Sequence, residues 1–172
     1  MNKKELREKY RLKRQEFNQF QIEEMSLAIA NNVLKLAIWD AIYFHIFLPI
    51  EINNEVNTAF ILYILQGKDK EIVISKSDFE TLEMTHYLMT DNTKIKNNKY
   101  NIPEPIDGIE VPVSKIDVVF VPLLAYDKTG NRIGYGKVEH KLKAPHSGHI
   151  INVNDSPIVY VGDAIYHISN LT

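Results

Sequence analysis

The chain contains no cysteine. Disulfides, thiolate metal centres and a cysteine nucleophile are therefore excluded. Charge of one sign is also lacking: 20 Lys and Arg stand against 22 Asp and Glu, for a net charge of -2. Nothing global points to nucleic acid or an anionic membrane, so any basic site must be local. No apolar run approaches the roughly 20 residues that cross a bilayer. The N-terminus is charged rather than apolar, which argues against a secretory signal and makes the cytoplasm the expected location. What remains is ordinary: 172 residues, 45% hydrophobic and 24% charged. This predicts one globular domain over 1–172, with no internal repeat.

Residues Lys3 to about Phe17 are rich in Lys, Arg, Glu and Leu. They predict a basic helix with Leu6, Tyr10 and Phe17 turned inward. A second helix is expected from about Ile22 to Leu36, with Met25, Ile29, Val33 and Leu36 at helical spacing. Ile42–Leu48 reads as a buried strand ended by Pro49. Asn57 is placed to cap a third helix, Thr58–Leu65, with Gly67 as its stop. Glu71–Ser75 and Met84–Met89 read as strands, and the proline-bearing Tyr100–Val113 as a loop. Strands alternating with helices predict an α/β domain with a largely parallel sheet. Leu48, Ser75 and Pro122 fall at carboxyl ends of strands, where ligands bind in such folds.

The densest signal is I-D-V-V-F-V-P-L-L-A-Y-D-K-T-G-N-R-I-G-Y-G-K, from Ile116 to Lys137. An apolar strand reaches Pro122, a polar turn follows, and Arg132-Ile133-Gly134-Tyr135-Gly136-Lys137 closes the stretch. Glycine lets backbone N–H groups approach phosphate oxygens, and Arg132 and Lys137 add charge. The same pattern also suits an ordinary turn. Lys3, Lys4 and Arg7 crowd one turn of the first helix, as a phosphate grip or as a solvated face. Glu55 follows a buried strand, where it is able to accept hydrogen bonds from a heterocycle or stand exposed in a loop. Tyr135 suits either a stacked ligand or packing on the sheet.

The whole stretch resembles the signature of the 5-formyltetrahydrofolate cyclo-ligase (methenyltetrahydrofolate synthetase) family, P-G/L-x-A-F/Y-D-x-x-G-x-R-L/I-G-Y/F-G-x-G-x-Y-D. The Lys3-Lys4-Glu5-Leu6-Arg7 opening and the Leu48-Pro49-Ile50 … Glu55-Val56-Asn57-Thr58 segment also fit, so the resemblance spans 1–137. It implies a three-layer sandwich of the NagB/RpiA/CoA-transferase-like type. It implies an enzyme: an ATP-dependent ligase converting 5-formyltetrahydrofolate to 5,10-methenyltetrahydrofolate in one-carbon metabolism. Nucleotide contacts would fall to Lys3, Lys4, Arg7, Gly130, Arg132, Gly134, Tyr135, Gly136 and Lys137. Arg132, Tyr135 and Lys137 would be catalytic, and Ile50 and Glu55 would hold the folate. ATP and Mg2+ are the implied cofactors, with Asp155 a metal ligand. A monomer is expected, without nucleic-acid or membrane partners.

The likeness breaks after Lys137. Val138 replaces the third glycine, and His140-Lys141 or their neighbours replace the Tyr-Asp pair. Residues 138–172 thus form a divergent, shortened, β-rich tail. The alternative is a catalytically impaired nucleotide- or folate-binding paralogue on the same fold. Leu142–Ile168 is also similar to half of a lipoyl- or biotinyl-type β-hammerhead, but the modified-lysine turn is absent. His140, His146 and His149 match no standard zinc spacing and read as loop histidines. His45, inside an apolar strand, is expected to be a satisfied core or pocket residue. Asp127 reads as turn-forming.

Overall fold

A computed structural model describes residues 2–81, 83–126, 132–134, 148–152 and 166–170, with the side chains of 132, 148–152 and 166–170 left aside. The helices are α1 (Lys3–Gln15), α2 (Gln19–Val33) and α3 (Ala59–Gly67). The strands are β1 (Tyr43–His45), β2 (Glu71–Ser77), β3 (Met84–Leu88), β4 (Ile95–Asn97), β5 (Pro103–Pro105), β6 (Val118–Val119), β7 (Ala125–Tyr126), β8 (Arg132–Ile133), β9 (Gly148–Asn152) and β10 (Tyr166–Asn170).

The main sheet has the order β3-β2-β1-β6. β2, β1 and β6 are parallel, with Phe44 opposite Ile72 and Val118. β3 joins antiparallel at the edge, with Ser75 opposite His86. The chain is an α/β protein with a mostly parallel sheet, as its alternating pattern predicts. Phe44, Ile46, Ile72, Ile74, Val118 and Phe120 form one core with Ala30 and Val33 of α2 and Ile61 and Leu65 of α3. The two helices therefore cover one face. Residue alternation along a strand sends His45 to the other face, because its neighbours Phe44 and Ile46 enter this core.

Local rules explain the ends of the elements. Asn2 and Asn18 each close a capping box, with Glu5 and Gln21 as the reciprocal partners. The box at Asn18 starts α2 three residues before the expected Ile22. The fully buried stripe of α2 is Ile22, Ser26, Ala30 and Val33; of the expected row, Val33 is buried and Ile29 and Leu36 pack against the same core. Small residues win there because the Ser26 hydroxyl donates to the Ile22 carbonyl at 2.7 Å and accepts from the Asn57 amide at 2.9 Å. The cap position of α3 falls to Thr58 rather than the expected Asn57, though the Asn57 side chain, one residue earlier, accepts from the Ala59 amide at 3.0 Å. Asp69, with φ 52°, turns the chain just beyond Gly67. The signature strand is shorter than expected, two residues in place of Ile116–Pro122. Asp117 supports its start, its carboxylate accepting from the amides of Ile42 and Tyr43 at 2.9 and 2.8 Å.

The strand order turns back on itself at β1. The chain runs outward through β2 and β3, then adds β6 on the other side of β1. Such a reversal leaves a crevice outside the carboxyl ends of the two flanking strands. The segments leaving β1 and β6 lie at that point.

Candidate active site

The segment after β1 folds inward. A 3-10 turn at Glu51–Asn53 ends in Asn54, whose φ of 50° is left-handed and suits asparagine. The Asn54 side chain donates to the carbonyls of Arg14 and Phe17 at 3.2 and 3.1 Å. These carbonyls lie at the end of α1, where helical partners run out. This tie brings Glu55 under the loop, with only 7% of its surface exposed. The Glu55 carboxylate accepts from the Ile50 amide at 2.8 Å. Burial pushes the Glu55 carboxyl above its ordinary range, against the pull of the Ile50 amide, the Arg14 charge and the Asn53 side chain. Ile50 and Glu55, both expected on the folate side, are therefore joined directly.

The segment after β6 is held by the same helix. Arg14 is 2% exposed, the most buried side chain of α1, and donates from Nη2 to the Leu123 carbonyl at 3.2 Å. Its guanidinium thus reaches the loop after β6 while its backbone receives the loop after β1. Arg14 was not anticipated from the sequence. The signal was present, since it follows Arg7 by two helical turns and faces the same way.

Arg7 meets the signature loop itself. Its Nε donates to the Gly134 carbonyl at 3.1 Å. Gly134 lies just past the β7–β8 hairpin, where Ala125 pairs with Ile133 and the Leu124 amide donates to the Ile133 carbonyl at 2.9 Å. No described atom lies within 4 Å of where a Cβ would stand on Gly134. Lys3 and Lys4 are exposed on the first turn of α1. Arg132 stands on β8, opposite Tyr126. Gly130, Tyr135, Gly136, Lys137 and Asp155 lie outside the described residues, as do Asp127, His140 and His146.

His45, expected as a satisfied core or pocket residue, is buried as expected but not satisfied. It is the last residue of β1 and is 8% exposed, yet neither ring nitrogen has a hydrogen-bond partner among the described residues. Its ring meets His86 of β3 edge-to-face, with centroids 5.4 Å apart. Burial, and secondarily the neighbouring His86, lower the His45 pKa to about 3, so the ring is neutral. Burial also lowers that of His86. On the sheet's outer side, the carboxylate of Glu104 is used structurally, accepting from the Ser77 amide and the Asn98 side chain, both at 2.9 Å. Among the described residues no group of three or more His, Asp or Glu side chains is placed to hold a metal.

The chain is similar to known proteins in sequence and in fold. The model of the 5-formyltetrahydrofolate cyclo-ligase family matches residues 1–143. A 5-formyltetrahydrofolate cyclo-ligase of Haemophilus influenzae is 30% identical over 90 residues, 49% of this chain and 46% of that protein. The mouse enzyme of the same name is 27% identical over 95 residues, 51% of this chain and 47% of its own length. The chain thus spans about half the length of these curated relatives. The NMR structure of Aquifex aeolicus 5,10-methenyltetrahydrofolate synthetase superposes with a TM-score of 0.68 at 26% identity, covering 80% of this chain and 69% of the other. A Mycoplasma pneumoniae 5,10-methenyltetrahydrofolate synthetase shares the fold, with a TM-score of 0.60 at 19% identity over 80% and 73% of the two chains. With the family model extending from the basic first helix through the G-Y-G-K loop, this chain belongs to the 5-formyltetrahydrofolate cyclo-ligase family.

Proposed function

We propose that the chain is an ATP-dependent ligase that cyclises 5-formyltetrahydrofolate to 5,10-methenyltetrahydrofolate. The observation that carries this reading is that one basic helix ties both sides of the crevice: Arg7 to Gly134, and Arg14 to Leu123 and, through its carbonyl, to Asn54. The phosphate-side loop and the folate-side loop are thereby held in one frame. The reaction needs that proximity, because a phosphoryl group must reach the formyl oxygen before the ring closes.

In this reading the formyl oxygen attacks the γ-phosphorus and ADP leaves. Folate N10 then attacks the activated carbon, phosphate departs, and N10 gives up its proton. Lys3, Lys4, Arg7, Arg132 and Lys137 balance the triphosphate charge, and the backbone at Gly130, Gly134 and Gly136 approaches its oxygens. Ile50, Glu55 and Tyr135 hold the folate. Glu55 suits that task because its carboxylate is already fixed by the Ile50 amide.

Mg2+ would supply further charge neutralisation on the phosphates, where it usually keeps several waters and needs few protein carboxylates. Asp155 is the protein ligand assigned to it. The open backbone at Gly134 beside Arg7 fits a bound nucleotide. The expected setting is a monomer in the cytoplasm. No helix among the described residues is long and apolar enough to cross a membrane.

The test is absorbance detection of methenyltetrahydrofolate from 5-formyltetrahydrofolate and magnesium-ATP at high protein concentration. ATP-dependent product that vanishes in Lys4→Ala and Arg132→Ala establishes the ligase. No product despite retained ATP and folate binding sinks it and leaves a non-catalytic binder.

A further inference from the structure

A buried imidazole with no hydrogen-bond partner is an energetic anomaly. Leaving a buried polar group unpaired costs roughly 1–3 kcal/mol, so such groups in folded proteins generally meet a water, an ion or a ligand. His45 is in that state at both ring nitrogens among the described residues. Its place in the fold narrows the explanation. It ends β1, opposite Val119, and its carbonyl accepts from the Phe120 amide at 2.8 Å, so it stands at the lip of the crevice between β1 and β6. Strand alternation turns its ring away from the core shared with α2 and α3. The Leu48-Pro49-Ile50 segment begins three residues later.

We propose that His45 is a substrate-contact residue of the folate site, one that gives a hydrogen bond to the polar edge of a pterin-type ligand. This rests on the folate reading above. A neutral imidazole offers one N–H donor and one nitrogen acceptor, the complement of an amide-like edge bearing a carbonyl beside an N–H. His86 backs the ring: it stands on β3 opposite Ser75, and its edge-to-face contact restricts how His45 turns. Binding would satisfy a group that has no partner among the described residues. The site selects for a hydrogen-bonding ligand because an analogue lacking that edge leaves the histidine unpaired again.

The experiment compares wild type, His45→Phe and His45→Gln by calorimetric titration with 5-formyltetrahydrofolate and separately with ATP, together with thermal melts. Phenylalanine keeps the ring and removes the polar atoms. The expected result for His45→Phe is a folate Kd raised about tenfold, the loss of one well-made hydrogen bond. Its ATP Kd should stay within about twofold and its melting temperature should not fall, since an unpaired buried polar group is gone. Glutamine, with a donor and an acceptor, should recover part of the folate affinity. Unchanged folate binding in His45→Phe overturns the inference and leaves His45 a core residue. Equal losses for folate and ATP with a lowered melting temperature also overturn it, as a purely structural role. Absence of folate binding by the wild-type chain overturns both this inference and the folate reading beneath it.

Discussion

The Nε of Arg7 donates to the carbonyl of Gly134 at 3.1 Å, joining residues 127 positions apart in the chain. The first helix thereby grips the far end of the signature, and that loop has its position set by a side chain outside it. Replacing Arg7 by alanine should free the loop. The expected stability loss is about 1 kcal/mol, the usual value of one hydrogen bond to a partly buried group. The effect on ATP should be larger, because both a cation and the loop's position are lost. The KM for ATP should rise at least about tenfold, with the KM for 5-formyltetrahydrofolate little changed. Lysine at this position should recover charge but not the Nε geometry, so partial rescue is expected. Equal KM shifts for both substrates would show that Arg7 does not act on the phosphate side.

Arg14 and Glu55 form the second link. Arg14 is almost fully buried, and its charge partly offsets the burial that raises the Glu55 carboxyl. Arg14→Ala removes the bond to Leu123, the stem packing and the compensating charge together. A loss on the order of 3 kcal/mol is expected, as for other broken buried charge arrangements. Denaturant unfolding measures it. Arg14→Met keeps the stem and should lose less. If both variants unfold like the wild type, the helix does not hold the two loops.

Glu55→Gln separates binding from folding. The carboxamide oxygen is still able to accept from the Ile50 amide, so the loop should keep its shape. Stability should hold or improve, because an amide has no charged form for burial to penalise. On the proposed folate reading, affinity should fall at least about tenfold, since Glu55 would no longer offer its carboxyl group to pterin N–H groups. A titration showing undiminished folate affinity would remove Glu55 from the site.

Much of this frame was legible in the residues. Alternating apolar segments announced the α/β sheet, and the G-Y-G-K stretch with its two companion segments announced the family. The sequence placed Ile50, Glu55 and Arg7 as candidates, and the fold brings Ile50 to Glu55 and Arg7 to Gly134. What was not legible depended on long-range pairing. Arg14 lies on a helix rich in basic residues, so its spacing of two turns from Arg7 is the one mark of the face it shares, and its burial shows only in the fold. The expected inward row of α2 holds at Val33, with Ile29 and Leu36 packed against the core, but the fully buried Ser26 and Ala30 are weakly apolar, and the hydrogen bond from the Asn57 amide explains why Ser26 faces inward. His45 looked like a core histidine because a strand pattern cannot show whether its ring nitrogens find partners. His86 enters through long-range pairing alone, when β3 is set beside β2 and its ring meets that of His45.

The neutral state of His45 makes stability depend on acid in a defined direction. Its pKa is about 3 in the folded chain against an ordinary 6.5. As pH falls below 6.5 the unfolded chain takes up a proton that the native ring refuses, so stability is lost with falling pH. The slope approaches about 1.4 kcal/mol per pH unit and continues toward pH 3. His86, also lowered, acts in the same direction. Glu55 acts in the opposite one: its raised carboxyl contributes fully below the unfolded value of 4.5 and loses that contribution as pH rises through the folded value. Between pH 7 and 5.5, His45→Phe should therefore lose less stability than the wild type, by about 1 kcal/mol. Urea unfolding at half-unit pH steps reads this directly. Parallel profiles for the two proteins would mean that the native His45 ring takes its proton as readily as the unfolded one, and is not held neutral by its burial beside His86.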